Sequence, residues 1–428
     1  MLLDFTVKNF RCFAEEAHLS LVKPSLKTQV PRGDLTWRDA TYRVAAVYGA
    51  NASGKSTLLE AVWALAAAMR LLPGVKLHDP YLLSEESASA PTSYAAIFTH
   101  EGVRYDYEVQ AHSWGIGYES LHSYARGSRR RLFIRRQLAE DQELAFSKGP
   151  SLTGPSAGVR KLTTAEDLFL AIACRYGHKM LAPIARAVSA GTTVSATGHG
   201  DFNRSVGVLQ LPGQLDRNPR KREEINMAAR MADLGITDVA VRERDLALGQ
   251  LEHLRSLKLP ESELKQMRDE LVFTHRGVGG KTRQLGLNQQ SDGTINWLVT
   301  LGPALEAIRH GHVLVVDELD ASLHPALAST LVQIFKDPDI NVSGAQLLFS
   351  THDTSLLGNS PIRLLEPGEV WFCQKDDEGA SELYPLSDFD TRPGNNEQKR
   401  YLAGKFGAIP RVDLSEVFAL TPSGSGNG

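Results

Sequence analysis

Cysteine is scarce in this 428-residue chain: Cys12, Cys174 and Cys373 stand far apart and without metal-ligand spacing. That excludes a disulfide framework and suits a reducing compartment. No uninterrupted apolar stretch approaches the roughly 20 residues that a bilayer crossing requires. The best candidate, Leu58 to Leu72, carries Glu60 and Arg70 and reads as a buried helix. The opening Met1-Leu-Leu-Asp-Phe-Thr-Val-Lys has no basic segment followed by a signal core, so the expected location is the cytoplasm, with no membrane contact. An excess of charge of one sign is missing too. The 47 Lys plus Arg against 50 Asp plus Glu leave a net −3, which neither demands nor excludes nucleic acid. No apolar heptad persists over several turns, which argues against a long coiled coil.

What is present begins with Gly49-Ala-Asn51-Ala-Ser53-Gly54-Lys55-Ser56, which follows the apolar run Val44-Ala-Ala-Val-Tyr48 and opens into Thr57-Leu-Leu-Glu-Ala-Val-Trp63. Strand, glycine-rich loop and helix in that order make a complete phosphate-binding loop. Successive backbone N–H groups wrap the phosphates while the helix presents its positive end to them. Lys55 then reaches the outer phosphates of a nucleoside triphosphate, and Ser56 ligates Mg²⁺. Asn51, Ser53 and Thr57 fall in the same nucleotide-binding set.

Far downstream, His312-Val-Leu-Val-Val-Asp317-Glu318 reads as a short buried parallel strand ending in two carboxylates. Asp317 is placed to hold Mg²⁺ through its water shell, and Glu318 to polarise a water toward the γ-phosphate, which is the catalytic task. A further strand, Gln346-Leu-Leu-Phe-Ser350, ends in Thr351-His352-Asp353 and sets His352 beside the same sheet edge as a γ-phosphate sensor. A loop histidine that caps a helix is the plainer alternative for His352.

Between these elements, Leu285-Gly-Leu-Asn-Gln-Gln-Ser291-Asp292-Gly293-Thr294 is a small-residue turn that opens a helix over Ile295 to Leu301, which Pro303 is expected to kink or end. Ser291, Asp292 and Gly293 at that helix start form a second anion-binding site. One chain needs one such site per triphosphate, so the economical explanation is that the turn closes over the nucleotide of another copy. That predicts a nucleotide-dependent head-to-tail dimer; an ordinary Ser or Asp helix cap would look the same.

Phosphate loop, Ser-Asp-Gly-Thr turn, Val-Asp-Glu strand, the Leu319-Asp320-Ala-Ser-Leu323-His324-Pro325 segment and the Ser-Thr-His352 turn occur in the order of an ABC-type ATPase head. More narrowly, the chain resembles the SMC/RecF/OLD-like branch of soluble ABC ATPases. Within it, the chain is similar to stand-alone ATPases of prokaryotic anti-phage and abortive-infection systems, such as RloA-type proteins and the ATPase subunit of PARIS. Phe5-Thr-Val-Lys-Asn9-Phe10-Arg11-Cys-Phe13 looks like that branch's first strand and turn. Ala232-Asp-Leu-Gly-Ile-Thr237, Gly344-Ala-Gln-Leu347 and Tyr401-Leu-Ala-Gly-Lys-Phe-Gly-Ala-Ile-Pro410 extend the resemblance along nearly the whole chain. It implies ATP and Mg²⁺ as cofactors, Lys55, Ser56 and Asp317 on phosphate and metal, Ser291 and Gly293 on the partner's γ-phosphate, Glu318 as base and His352 as switch. Asp292 and Asp320 join the nucleotide-binding set, with Asn9 and Arg11 near the phosphates or ribose. The signature turn lacks the paired glycines of transporters, and no residue is assigned to the glutamine loop that normally helps ligate Mg²⁺.

The fold class expected is α/β, a mixed sheet with flanking helices and an antiparallel β-layer. Residues 1–148 and 273–412 would be the two halves of the head, 159–272 a compact, mostly helical insertion, and 413–428 a partly disordered tail. Strands are expected at Tyr94–Thr99, Val103–Val109 and Tyr118–Tyr124, helices at Ala165–Ala190, Lys221–Leu234 and Glu261–Leu271, and an edge strand at Glu369–Lys375. Arg126-Gly-Ser-Arg129-Arg130-Arg131-Leu-Phe-Ile-Arg135-Arg136 is the densest positive run. It reads as a solvated hairpin before it reads as a phosphate-backbone contact. The expected function is ATP hydrolysis by a homodimer, or a higher assembly, acting as sensor or regulator of a separately encoded effector in anti-phage defence. A RecF- or SMC-like DNA-repair clamp is the alternative, with nucleic acid as its partner. An ATP-binding scaffold without turnover and a transport ATPase fit less well.

Overall fold

The computed structural model describes residues 1–125, 127–189, 192–195, 218–232, 235–243, 268–321, 323–359, 362–392 and 394–410. Arg126 of the basic run, the expected 413–428 tail and residues 261–267 of an expected helix lie outside them. The chain is α/β, as expected. Its first strands are β1 (Leu2–Lys8) and β2 (Ala17–Ser20), followed by β3 (Val44–Tyr48) and helix α1 (Lys55–Met69). A short helix α2 (Glu85–Ser89) leads to four long strands, β4 (Thr92–His100), β5 (Val103–His112), β6 (Gly115–Ala125) and β7 (Ser128–Arg136), and to β8 (Ala145–Lys148). These join β1 and β2 in one antiparallel sheet of order β2-β1-β4-β5-β6-β7-β8.

The second sheet carries the site. After helices α3 (Ala157–Leu162), α4 (Phe169–Arg175) and α5 (Leu181–Ser189) come β9 (Thr192–Ser195), α6 (Pro219–Ala232), and the strands β10 (Ile236–Glu243), β11 (Asp269–Arg276) and β12 (Thr282–Gly286), which pair as a small antiparallel sheet. Helix α7 (Asp292–His310), β13 (Val313–Val316), α8 (Pro325–Lys336), β14 (Gln346–Ser350), β15 (Val370–Lys375), β16 (Ser381–Pro385) and α9 (Glu397–Leu402) complete the described elements. The core sheet runs β16-β15-β3-β14-β13-β9, parallel throughout except for β16.

Period-2 alternation divides each central strand between two cores. Ala45, Val47, Val313, Val315, Leu348, Trp371 and Cys373 face the layer of α1, α4, α5 and the antiparallel sheet. Val44, Ala46, Tyr48, Leu314, Val316, Leu347, Phe349 and Phe372 face α6, α7 and α8. Strands buried on both faces have no polar side to show, which is why they read as unbroken apolar runs. Helix α1 is likewise wedged between layers and buries ten of its 15 residues.

Several expectations change. The strand at Val370–Lys375 is interior, flanked by β3 and β16; the true edge is β16, whose mixed composition hid it in a polar stretch. The stretch 159–272 is not only helical, since it contributes β9 to the core sheet and two strands to the small sheet, and the helix expected to reach Leu271 gives way to strand at Asp269. Pro303 does not end α7, which continues to His310 and stops at Gly311 with φ +69°. A proline inside a helix, which removes one hydrogen bond and crowds the preceding turn, costs about 3 kcal/mol. Trp297, Leu298 and Leu301 before the proline and Ala304, Ala307 and Ile308 after it are all buried, and each large apolar side chain is worth about 1.5–3 kcal/mol.

Two layers are joined by charge. Glu119 of β6 and Arg135 of β7 are fully buried, 3.7 Å apart. Glu119 accepts hydrogen bonds from the Tyr107 hydroxyl at 2.9 Å and from the Phe169 and Leu170 amides at 2.7 and 2.9 Å, while Arg135 donates to the carbonyls of Thr164, Ala165 and Asp167. Burial pushes the Glu119 carboxyl up, against the opposing pull of Arg135 and the donated hydrogen bonds.

Candidate functional site

The loop between β3 and α1 is shaped by contacts that admit only glycine at two positions. A Cβ on Gly49 would stand 2.2 Å from the Cys373 carbonyl oxygen. Gly54, at φ +108°, would push one against the Cys12 and Cys373 sulfurs at 2.8 and 3.2 Å and the Ser381 hydroxyl at 2.9 Å. Gly54 is also the N-cap of α1 and supplies no side-chain cap, so the first amides of the helix keep their donors for another acceptor. Lys55 is buried and donates to the Gly49 and Ala50 carbonyls, each at 2.9 Å. The Ser53 hydroxyl is buried without a partner. Asn51 is exposed, and Ser56 and Thr57 are half-buried on the first turn of α1.

Strand order assembles the rest. Because β14 lies between β3 and β13, the parallel strands deliver Gly49, Thr351 and Asp317 side by side at their carboxyl ends. Ser350 closes β14 and organises the carboxylate pair: its hydroxyl donates to Asp317 Oδ1 and accepts from the Glu318 amide at 2.7 Å. Glu318 takes φ +50°, an uncommon conformation for a residue with a Cβ. The turn is held there by Leu319 N to Ser350 O at 2.9 Å and Ala321 N to Glu318 O at 2.8 Å.

Charge couples these groups. Burial lowers the Lys55 ammonium pKa, while Cys373, Asp317, Glu318 and Asp320 pull it back up. Burial and then the Lys55 charge lower the His352 imidazole, against Asp320, Glu318 and Asp317. Lys55, Asp317, Glu318, Asp320 and His352 therefore share one electrostatic site. Among the described residues no cluster of three or more His, Cys, Asp or Glu side chains could hold a metal unaided. Ser56 and Asp317 suit a cation shared with phosphate oxygens, the usual manner of Mg²⁺.

Four expected nucleotide contacts have partners within the chain. Asn9, buried at φ +52°, donates to the Ser87, Ala90 and Pro91 carbonyls at 2.7, 3.0 and 3.3 Å and accepts from Tyr81 N at 2.9 Å. It fastens the segment before β4, and these bonds occupy both ends of its amide. Arg11 pairs with Asp79 at 2.7 Å and with Glu60 of α1, so its charge is matched by two carboxylates. Asp320 Oδ1 accepts from Thr351 Oγ1 at 2.7 Å and from His352 N at 3.0 Å; it positions the histidine. Ser291, at the N-cap of α7, accepts from Thr294 N at 3.1 Å and meets Thr294 Oγ1 at 2.9 Å. Its side-chain hydrogen bonds stay within its own turn, where Asp292 is exposed and Gly293 half-buried.

The sequence reading missed Ser350, which orients the Asp317 carboxylate and holds the Glu318 backbone, and Tyr48, whose hydroxyl donates to the Asp353 carbonyl at 3.2 Å and steadies the His352 turn. It also missed Cys373, since nothing local marks β15 as the neighbour of the loop. The segment Tyr401–Pro410 packs behind the site: Tyr401 stacks on Phe372 at 5.4 Å and meets Tyr48 edge-on at 5.8 Å.

The family described as "AAA domain, putative AbiEii toxin, Type IV TA system" matches residues 44–162 and 208–358, which include the loop, the carboxylate strand and the histidine turn. The chain belongs to this AAA_21 family. No curated protein matches it in sequence. Among solved structures, the SMC head domain from Thermotoga maritima is similar at 14% identity and a TM-score of 0.40, over 90% of this chain and 98% of that one. An SmcHead bound to the C-winged helix domain of ScpA is similar at 12% identity and a TM-score of 0.45, over 90% and 97%. This AAA_21 member is α/β, with β14 placed between the loop strand and the carboxylate strand and an antiparallel layer alongside. No helix among the described residues is long and apolar enough to cross a membrane.

Proposed function

We propose that this AAA_21 protein hydrolyses ATP, closes on a second copy around two nucleotides, and acts as the sensor or regulator of a separately encoded effector in prokaryotic anti-phage defence. The observation that carries the enzymatic part is the convergence of Lys55, Asp317, Glu318 and His352 at the ends of three adjacent parallel strands. The loop amides and Lys55 hold the triphosphate, Lys55 exchanging the Gly49 and Ala50 carbonyls for phosphate oxygens. Ser56 and Asp317 hold Mg²⁺, which when bound offsets charge on the phosphates. Glu318 orients the attacking water and accepts its proton. His352, set by Asp320, donates one hydrogen bond toward the γ-phosphate and loses that partner after cleavage.

Dimerisation is supported by Ser291, which stands on an exposed helix start with its hydroxyl bonded to Thr294 and suits an anion presented from outside. The defence role is supported by the resemblance of the motif set and by the family's description, which names a toxin-antitoxin system. A second reading, a DNA clamp, is favoured by the exposed Arg129, Arg130 and Arg131 on β7. Glu318→Gln, purified from its native host with Mg²⁺ and ATP, separates the two. A stoichiometric protein partner without DNA supports the regulator; nuclease-sensitive DNA without a protein supports the clamp. Failure of the unaltered protein to release phosphate from ATP would overturn both.

A further inference from the structure

Two of the chain's three cysteines, 361 positions apart in sequence by their numbers, meet at the phosphate loop. The sulfur of Cys12 lies 2.8 Å and that of Cys373 3.2 Å from the point a Gly54 Cβ would occupy. The two sulfurs are therefore no farther apart than those distances laid end to end. We propose that Cys12 and Cys373 form a peroxide-sensitive thiol pair whose disulfide, closed beside Gly54, deforms the phosphate loop and weakens nucleotide binding.

The environments divide the labour. Cys12 is partly exposed, in the turn between β1 and β2 where Phe10 and Phe13 pair with each other and Arg11 takes φ +48°. Cys373 is fully buried in the core sheet, and burial pushes its thiol up to about 12. Cys12 meets the oxidant first, since reactivity follows exposure and thiolate character. Its thiolate attacks one oxygen of hydrogen peroxide, the O–O bond breaks, and the departing hydroxide takes up the thiol proton as water, leaving a sulfenic acid on Cys12. The Cys373 sulfur then attacks the Cys12 sulfur. An S–S bond forms, the S–O bond breaks, and hydroxide leaves with the Cys373 proton as a second water. Two thiols are oxidised by two electrons and one peroxide is reduced.

A disulfide needs its sulfurs about 2.0 Å apart, so Cys12 must move in, because Cys373 is fixed between β3 and β16. The reaction reaches the loop through a specific bond. In the reduced protein the Cys373 thiol donates to the Ser53 carbonyl at 2.9 Å, and oxidation removes that hydrogen. A loop carbonyl then loses its donor while the gap that admits Gly54 changes shape. Cys174, on α4, donates to the Ala182 carbonyl at 3.7 Å and serves as an internal control.

The nucleotide effect rests on the proposed ATP site, whereas the linkage does not. The full-length protein is treated with hydrogen peroxide, its remaining thiols are alkylated, and its peptides are mapped by mass spectrometry. Affinity for a fluorescent ATP analogue is measured before oxidation, after it, and after dithiothreitol. The expected result is a Cys12–Cys373 linked peptide in the parent and in Cys174→Ser, tenfold or greater loss of affinity, recovery on reduction, and no loss in Cys12→Ser. Over-oxidised Cys12 without the linked peptide, or the link with unchanged affinity, would overturn the proposal. Reduced protein that does not bind the analogue at all would instead refute the proposed ATP site, leaving the peptide map to decide the thiol pair.

Discussion

Gly54 carries two constraints at once, a left-handed backbone and contact with two sulfurs and a hydroxyl. Gly54→Ala therefore faces strain and overlap together, and loss of ATP binding by at least a hundredfold is expected in calorimetry, with the far-UV circular dichroism of the parent retained. His352 supplies a second residue-level expectation. Its imidazole lies below the ordinary 6.5, first through burial and next through Lys55. The unfolded chain binds that proton at higher pH than the folded one, so the stability this gives is complete above pH 6.5 and drains away as pH falls through the folded value. Proton NMR of the nucleotide-free protein should place the titration midpoint below 6.5, and Lys55→Ala should raise it; an unmoved midpoint would contradict the coupling. Residues with intrinsic chemistry at motif spacing, Lys55, Asp317, Glu318 and His352, were legible in the sequence. Ser350 and Asp320 were not legible in the positioning roles they play here, because such a role follows from which strands become neighbours, and local composition does not encode that. Asn9, bonded to the segment before β4, and Arg11, paired with Asp79 and Glu60, show the same limit: a motif match gives position along the chain, not what the side chain finds there.

At the level of elements, long alternating strands were the most readable. The antiparallel strands expected around Tyr94, Val103 and Tyr118 are β4, β5 and β6, each a little longer than the pattern suggested. Edges and interruptions were less so. Strand β15 looked like an edge because its true outer neighbour, β16, carries too few apolar residues to announce itself. Proline in α7 was expected to kink or end the helix because the sequence does not reveal that both sides of it would be buried. The tie between β6, β7 and α4 is the element-level contact with the largest predicted cost. Removing one partner of a buried ion pair costs about 3–5 kcal/mol, since the other charge stays behind. Glu119→Ala should therefore lower the unfolding free energy by about that amount in urea titration, and Glu119→Gln, which keeps one acceptor oxygen for one of the Phe169 and Leu170 amides, by less. Equal losses would mean that the retained acceptor contributes nothing and that the charge pair alone holds the layers together.

For the molecule as a whole, the proposed sandwich makes a composition-dependent expectation. Glu318→Gln with Mg²⁺ and ATP should sediment as a dimer and revert to monomer with ADP. Adding Ser291→Arg should abolish the dimer while leaving ATP affinity of the monomer within about twofold, because Ser291 serves the partner's nucleotide and not its own. A monomer for Glu318→Gln in ATP would refute the sandwich. The strand order has a further consequence, for the timing of folding. Strand β3, which launches the phosphate loop, hydrogen-bonds to residues 347–350 on one side and 370–372 on the other. Both neighbours leave the ribosome long after it, and contacts so distant in sequence form slowly. During synthesis the loop strand waits without its two neighbours, and a chain interrupted between residues 57 and 346 has the complete loop motif without the strands that flank it. Under the proposed ATP site such a fragment is expected not to bind nucleotide, which calorimetry on a chain ending before residue 347 would check.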